Sequence, residues 1–190
     1  LLRSDKLWFF GEQLFWKKGF EESRTPWHQD ASYLKIDGTQ SVIMWIGLDD
    51  VPREAALEVI PGTHRGVMYN GTTFGTEDVT EPVYLDGDMP RLPDIEAERD
   101  AWNIVGWPMK RGDILIFHML SLHGGAPTWP GYERRSISLR FLGDDVVSGY
   151  RPIMRDGFRQ FFKLATSDEA YARMEQMPIG TPIGQVDGFP

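Results

Sequence analysis

The sequence predicts an all-β core, a sandwich or barrel of short strands with a few peripheral helices. Short segments rich in aromatic and β-branched residues recur along the chain, separated by Gly, Pro, Asn and Asp. Helical patterning is weak and confined to two stretches. A histidine and an aspartate two positions apart, His28 and Asp30, share one face of a strand. A jelly roll suits all three observations, because its open mouth holds a ligand. An immunoglobulin-like sandwich leaves the His–Asp pair and a long patternless middle segment unexplained.

The elements follow in order. Leu7 to Lys18 carries Trp8, Phe9, Phe10, Phe15 and Trp16, a composition that favours strand over helix, and Gly19 ends it. Thr25 to Tyr33 reads as a second short strand, and Asp37-Gly38 as a turn. Ser41 to Leu48 is strongly apolar and is expected to be a central strand buried on both faces. Asp49 to Ala56 reads as a loop, and Leu57 to Ile60 as a short strand ending at the Pro61-Gly62 turn. From Gly66 to Lys110 the period is lost, apart from a weakly helical Asp94 to Trp102. So long a stretch inside a compact domain is usually functional, so residues 66–110 are expected to be an insertion or lid within one domain spanning 1–190. Strand patterning resumes over Asp113 to His118 and Arg134 to Leu142. A helix is expected at Ala170 to Met174, behind the start signal Ser167-Asp168-Glu169.

Composition excludes several function classes. The net charge of −8 argues against nonspecific nucleic-acid binding, which needs cations to neutralise phosphate. No apolar run approaches the roughly 20 residues that span a bilayer. Without cysteine there are no disulfides, zinc-thiolate sites, iron–sulfur clusters or cysteine nucleophiles. That fits a cytoplasmic protein acting on a small molecule; oligomeric state is not legible. The chain begins at Leu1 rather than Met, so a preceding segment is expected to be missing.

The chemistry concentrates in Trp27-His28-Gln29-Asp30. On an extended strand His28 and Asp30 face inward while Trp27 and Gln29 face outward. A third ligand must come from elsewhere, and His123 is the best placed, because Gly124 and Gly125 leave room for a ligand to approach. Of the other histidines, His64 reads as a turn residue and His118 as a satisfied core residue. Two imidazoles and a carboxylate without thiolate suit Fe(II), Mn(II), Ni(II) or Zn(II). Arg134 alternates with Ser136 and Ser138 and is placed to point inward, where its guanidinium would hold a carboxylate through paired hydrogen bonds.

These pieces, in this order, resemble the phytanoyl-CoA dioxygenase family of Fe(II)/2-oxoglutarate-dependent oxygenases. The resemblance is carried by Thr25-Pro26-Trp27-His28-Gln29-Asp30, Trp45-Ile46-Gly47-Leu48-Asp49-Asp50 and Ile60-Pro61-Gly62-Thr63-His64. It continues through the segment from Arg111 to His118, His123-Gly124-Gly125, Arg134-Arg135 and the segment from Arg140 to Asp145. It implies a double-stranded β-helix, the cupin-like jelly roll, with His28, Asp30 and His123 as the iron ligands. It implies that Arg134 binds the distal carboxylate of 2-oxoglutarate, that Trp45 lines that pocket, and that Thr25 and Gln13 lie among its contacts. With O2 the implied reaction is hydroxylation of a C–H bond of a small organic substrate, with release of succinate and carbon dioxide. Relatives often carry Ser where this chain has Gly125, so one co-substrate hydrogen bond is lost or comes from backbone. Related halogenases have a small residue at the position of Asp30, so the carboxylate points to hydroxylation.

Substrate contacts are expected from residues 66–110 and from Tyr33 and Lys35. Arg140 alternates with Arg134 and is either a contact to an anionic substrate or a structural ion-pair residue. Two other readings of the constellation stand: a cupin-like metal-dependent isomerase or lyase, and a non-catalytic jelly-roll binding module.

Overall fold

The computed structural model describes residues 1–19, 24–74, 76–156, 173 and 176–185. Its strands are β1 (Trp8–Lys18), β2 (Thr25–His28), β3 (Ile36–Asp37), β4 (Ser41–Gly47), β5 (Leu57–Val59), β6 (Ile114–His118), β7 (His123–Gly125), β8 (Glu133–Leu142) and β9 (Val147–Ser148). They form a four-stranded antiparallel sheet ordered β1-β8-β4-β6, a three-stranded antiparallel sheet ordered β2-β7-β5, and a β3–β9 pair. The fold is the jelly roll expected from the sequence. Among the described residues no helix is long and apolar enough to cross a membrane.

Alternation along the larger sheet decides what faces the interior. On β4 the residues Ser41, Ile43, Trp45 and Gly47 are buried, while Val42, Met44 and Ile46 are half-buried. The strand is therefore central in its sheet, as expected, but one face is only half-buried, whereas its unbroken apolar run suggested burial on both faces. The main apolar core gathers Ile43, Trp45, Val51, Leu57, Phe117, Met119 and Leu142, drawn from both sheets. On β8 the buried positions Arg134, Ser136 and Ser138 are polar. Burying polar groups in a row costs free energy unless something polar meets them, so this face of β8 is built around a site rather than a dry core.

The second strand is shorter than its pattern suggested. It ends at His28, and after an extended Gln29 the chain turns into a one-turn 3-10 helix, Asp30–Tyr33. Trp27 and Gln29 do not face solvent either: they are 3% and 2% exposed. Trp27 packs with Ile60, Leu92, Ile95 and Leu122. The Gln29 side-chain amide donates to the carbonyls of Val67 and Leu120 and accepts from the Tyr69 N–H. Val67, Tyr69, Leu92 and Ile95 all belong to the middle segment, which folds over the back of the ligand-bearing strand.

Among its described residues that segment contains no strand. The helix expected over Asp94 to Trp102 is instead a turn followed by a three-residue 3-10 helix, Arg99–Ala101. The Asp94 carboxylate accepts the Ala97 N–H at 3.1 Å, a capping contact that closes one turn without an α-helix following it. Isolated bridges, Val51 with Met109 and Val59 with Val105, tie the far end of the segment back to the sheets. The helix expected at Ala170 to Met174 lies outside the described residues apart from Arg173.

Candidate functional site

The site begins with a strand register. β2 and β7 pair antiparallel with His28 directly opposite His123, and their ring centroids are 4.2 Å apart. Each ring is oriented by the carbonyl two residues before it: His28 Nδ1 lies 2.8 Å from the Pro26 oxygen and His123 Nδ1 lies 3.0 Å from the Ser121 oxygen. A carbonyl only accepts, so both Nδ1 atoms carry the hydrogen and both Nε2 atoms present a lone pair. Asp30 Oδ1 lies 3.2 Å from His28 Nε2 and 3.6 Å from His123 Nε2. One ligand atom from each of the three residues falls within 4.8 Å of the others, the compass of a single divalent ion.

The second oxygen of Asp30 is already engaged. Arg140 donates from Nε and Nη2 to Oδ2, each at 2.8 Å, and Nη2 also donates to Gln13 Oε1 at 3.0 Å. Burial opposes ionisation of Asp30, but Arg140 outweighs it and holds the carboxyl well below its usual range. Burial, with His28 beside it, pushes the His123 imidazole down to about 3. The trio therefore offers one anionic oxygen and neutral nitrogen donors, the donor set of a hard-to-borderline divalent metal rather than a soft one. Its wall is aromatic. Phe74 meets His28 edge-on at 5.3 Å, Tyr33 stacks on Phe74 at 5.9 Å, and Phe117 lies 4.8 Å from His123.

Beside the trio is a second polar pocket. Arg134 is buried, donates from Nη1 to the Ala55 carbonyl, and lies with Cζ 5.6 Å from the centroid of the Trp45 ring. Among the described residues, Arg134 Nε and Ser136 Oγ are buried without a hydrogen-bond partner. Buried polar atoms are normally satisfied, so a buried guanidinium with neutral partners beside an orphaned hydroxyl is a preformed seat for an anion. A dicarboxylate that also reaches the trio meets this requirement.

The predicted residues thus fall into two groups. His28, Asp30, His123, Arg140 and Gln13 form one chain of contacts; Thr25, Trp45 and Arg134 surround the other pocket. Arg140 makes the ion pair with Asp30, and Gln13 reaches the site by holding Arg140. Tyr33 is buried with its hydroxyl donating to the Thr72 carbonyl at 2.9 Å. Lys35 follows the 3-10 turn, and its own carbonyl accepts the Gly149 N–H at 2.8 Å. The glycines after His123 stand where a side chain would crowd β2 and Arg134. A Cβ on Gly125 would stand 2.9 Å from Thr25 Oγ1 and 3.3 Å from Arg134 Nη2.

Sequence reasoning passed over Ser136 as a site residue, although it alternates with Arg134. It also missed Phe74, which lies in a segment without periodicity, and Lys17, whose place depends on a cross-strand register.

A double-stranded β-helix that carries two imidazoles and a carboxylate beside a buried arginine is the frame of the non-haem, 2-oxoglutarate-dependent oxygenases. Within that class the chain belongs to the phytanoyl-CoA dioxygenase (PhyH) family, whose model matches residues 9–135. It is 30% identical over 132 residues to a probable phytanoyl-CoA dioxygenase of Caenorhabditis elegans, covering 65% of this chain and 38% of that protein. It is 26% identical over 129 residues to the peroxisomal phytanoyl-CoA dioxygenase of Homo sapiens, covering 67% of this chain and 36% of that one. The chain thus spans well under half the length of these relatives. Among solved structures it is similar to SnoK, a non-haem α-ketoglutarate-dependent carbocyclase from nogalamycin biosynthesis. The TM-score is 0.58 at 19% identity, over 93% of this chain and 59% of that one.

Proposed function

We propose that the chain is the catalytic core of an Fe(II)/2-oxoglutarate-dependent oxygenase that hydroxylates a C–H bond of a small organic substrate. The observation that carries this reading is the pairing of the His28–Asp30–His123 trio with a buried Arg134 whose Nε has no hydrogen-bond partner. Either alone has other uses. Together they seat a metal and the far end of a dicarboxylate. Iron held there supplies oxygen activation, coupled to decarboxylation of 2-oxoglutarate to succinate and carbon dioxide.

The protein's own residues do the rest. Pro26 and Ser121 carbonyls fix the imidazole tautomers, and Arg140 turns Asp30 so that one oxygen stays available. Arg134 and Ser136 anchor the co-substrate at its distal carboxylate, with Trp45 as wall and Thr25 close by. Tyr33, Phe74 and Phe117 keep the neighbourhood of the ligands apolar, which excludes water. Residues 66–110 serve as the lid that shapes the substrate cavity, and Tyr33 and Lys35 lie at its junction with the ligand strand.

Purified protein loaded with Fe(II) should form succinate from 2-oxoglutarate in the presence of O2, and Asp30→Ala should abolish metal binding and turnover together. Turnover that needs no O2 would favour a cupin-like isomerase or lyase. Metal binding without any affinity for 2-oxoglutarate would favour a binding module.

A further inference from the structure

Residues 119–122 join β6 to β7 and end against the ligand His123. Each backbone polar group of this loop has a partner, so what fixes it can be traced atom by atom. Three of its carbonyls serve the ligand segments. Met119 accepts the Ala31 N–H at 3.2 Å, Leu120 accepts from the Gln29 side-chain amide at 2.8 Å, and Ser121 accepts the His123 Nδ1–H at 3.0 Å. The loop therefore grips both neighbours of Asp30 and orients the distal imidazole. The fourth carbonyl, of Leu122, accepts the Ile60 N–H at 2.9 Å. The loop's own N–H groups hold it in place. Met119 donates to the Ser41 carbonyl at 3.4 Å and Leu122 to Thr63 Oγ1 at 2.9 Å. The other two end on His118: Leu120 donates to its Nδ1 and Ser121 to its carbonyl, each at 2.9 Å. Met119, Ser121 and Leu122 are buried, so water does not replace a partner lost there.

His118 fills this place in one form only. Its Nε2 lies 2.7 Å from the Thr39 carbonyl, which only accepts, so the ring hydrogen sits on Nε2. Nδ1 is then bare and takes the Leu120 N–H. The other tautomer sets N–H against N–H and drops that bond. His64 stacks on the ring with centroids 5.3 Å and planes 27° apart. It belongs to the 3-10 turn Thr63–Arg65, whose Thr63 hydroxyl takes the Leu122 N–H. One turn thus braces the loop at both ends. We propose that His118 is a positioning residue for the metal ligands: its bare Nδ1 fixes residues 119–122, and their carbonyls hold the Asp30 segment and the His123 ring in the arrangement that one ion needs. This rests on the trio's being a metal site, as in the oxygenase reading.

The test uses the whole protein with Co(II) as the probe metal, whose visible bands report ligand geometry, and proton–nitrogen correlation spectra of the Zn(II)-loaded wild type. The spectra should place the His118 hydrogen on Nε2 and leave Nδ1 bare. His118→Leu should weaken Co(II) binding about tenfold, the low end for loss of a group that orients ligands from outside, and should shift the visible bands. His118→Asn sets an amide oxygen near the place of Nδ1, so it should stay within about threefold of wild type with its bands unshifted. A His118 hydrogen found on Nδ1 overturns the proposal on the wild type alone, even where a variant fails to fold. So does a His118→Leu protein with wild-type affinity and bands. So does a folded His118→Asn protein that loses the affinity expected to be lost in His118→Leu, since a restored acceptor should restore the loop. In each case a wild type that binds metal leaves the oxygenase reading standing, whereas a wild type that binds no divalent metal removes both.

Discussion

Gly125→Ala is the sharpest small perturbation available at the site. In an ordinary strand, replacing Gly by Ala gains roughly 0.5–1 kcal/mol, because Gly has more backbone freedom to lose on folding. Here the new Cβ would stand 2.9 Å from Thr25 Oγ1, 3.2 Å from Thr25 Cβ and 3.3 Å from Arg134 Nη2. β7 cannot step aside, since it is hydrogen-bonded to β2 on one edge and to β5 on the other. The overpacking cost of about 1–3 kcal/mol outweighs the backbone gain. Net destabilisation should therefore be about 1–2 kcal/mol, a fall in Tm of roughly 2–8 °C for a domain of this size. A double-mutant cycle with Thr25→Ala isolates the contact. With Oγ1 removed, the penalty of Gly125→Ala should shrink by about 1 kcal/mol. Calorimetric or denaturant unfolding of the four proteins reads both quantities. Stabilisation by Gly125→Ala, or strict additivity with Thr25→Ala, would refute the packing role assigned to this glycine.

Three further outcomes are expected. Arg134→Ala should raise the 2-oxoglutarate concentration needed for half-maximal succinate release about a hundredfold while leaving Fe(II) affinity close to wild type, as lost charged hydrogen bonds are worth about 1.5–3 kcal/mol. Arg140→Met should destabilise the metal-free protein by about 3 kcal/mol, since it leaves Asp30 buried without its partner. Saturating metal should narrow that gap in thermal unfolding, and a gap of the same size with and without metal would argue that Asp30 is not a ligand. Glu58 is buried among Arg24, Arg53 and Arg99. Burial opposes its ionisation, but Arg99 and Arg24 prevail and hold it down at about 2. A carboxyl depressed in the folded state stabilises the fold above its unfolded value and loses that contribution as pH falls. Acid unfolding of the wild type should therefore steepen between about pH 4.5 and about pH 2, and Glu58→Gln should remove that dependence.

Much of this site was legible in the sequence because its determinants are local. His28 and Asp30 are close neighbours on one chain segment, and the alternation of Arg134 with Ser136 placed both on one strand face. What escaped was set by partners far along the chain. Lys17 carries no signal of its own in the sequence, and only the β1–β8 register sets it against Arg134. Arg140 reads as a substrate contact or a structural ion-pair residue until Asp30 is seen turned towards it. Trp27 and Gln29 read as outward-facing because period-2 patterning names two faces but not what covers each. The cover is the middle segment, which has no period to announce it.

The direct opposition of His28 and His123 carries a consequence for how the protein matures. Half the chain lies between these two residues, and only the β2–β7 ladder brings them together. Closing so long a loop is entropically unfavourable, and contacts of this range are slow to form. A metal ion added to the nascent or unfolded chain meets a nearby His–Asp pair and a second imidazole that is far away. The complete ligand set exists only after the smaller sheet has zipped. A metal held by this trio would therefore arrive late, loaded into a finished β-scaffold rather than nucleating it, and apo-protein should refold to a metal-ready state on its own.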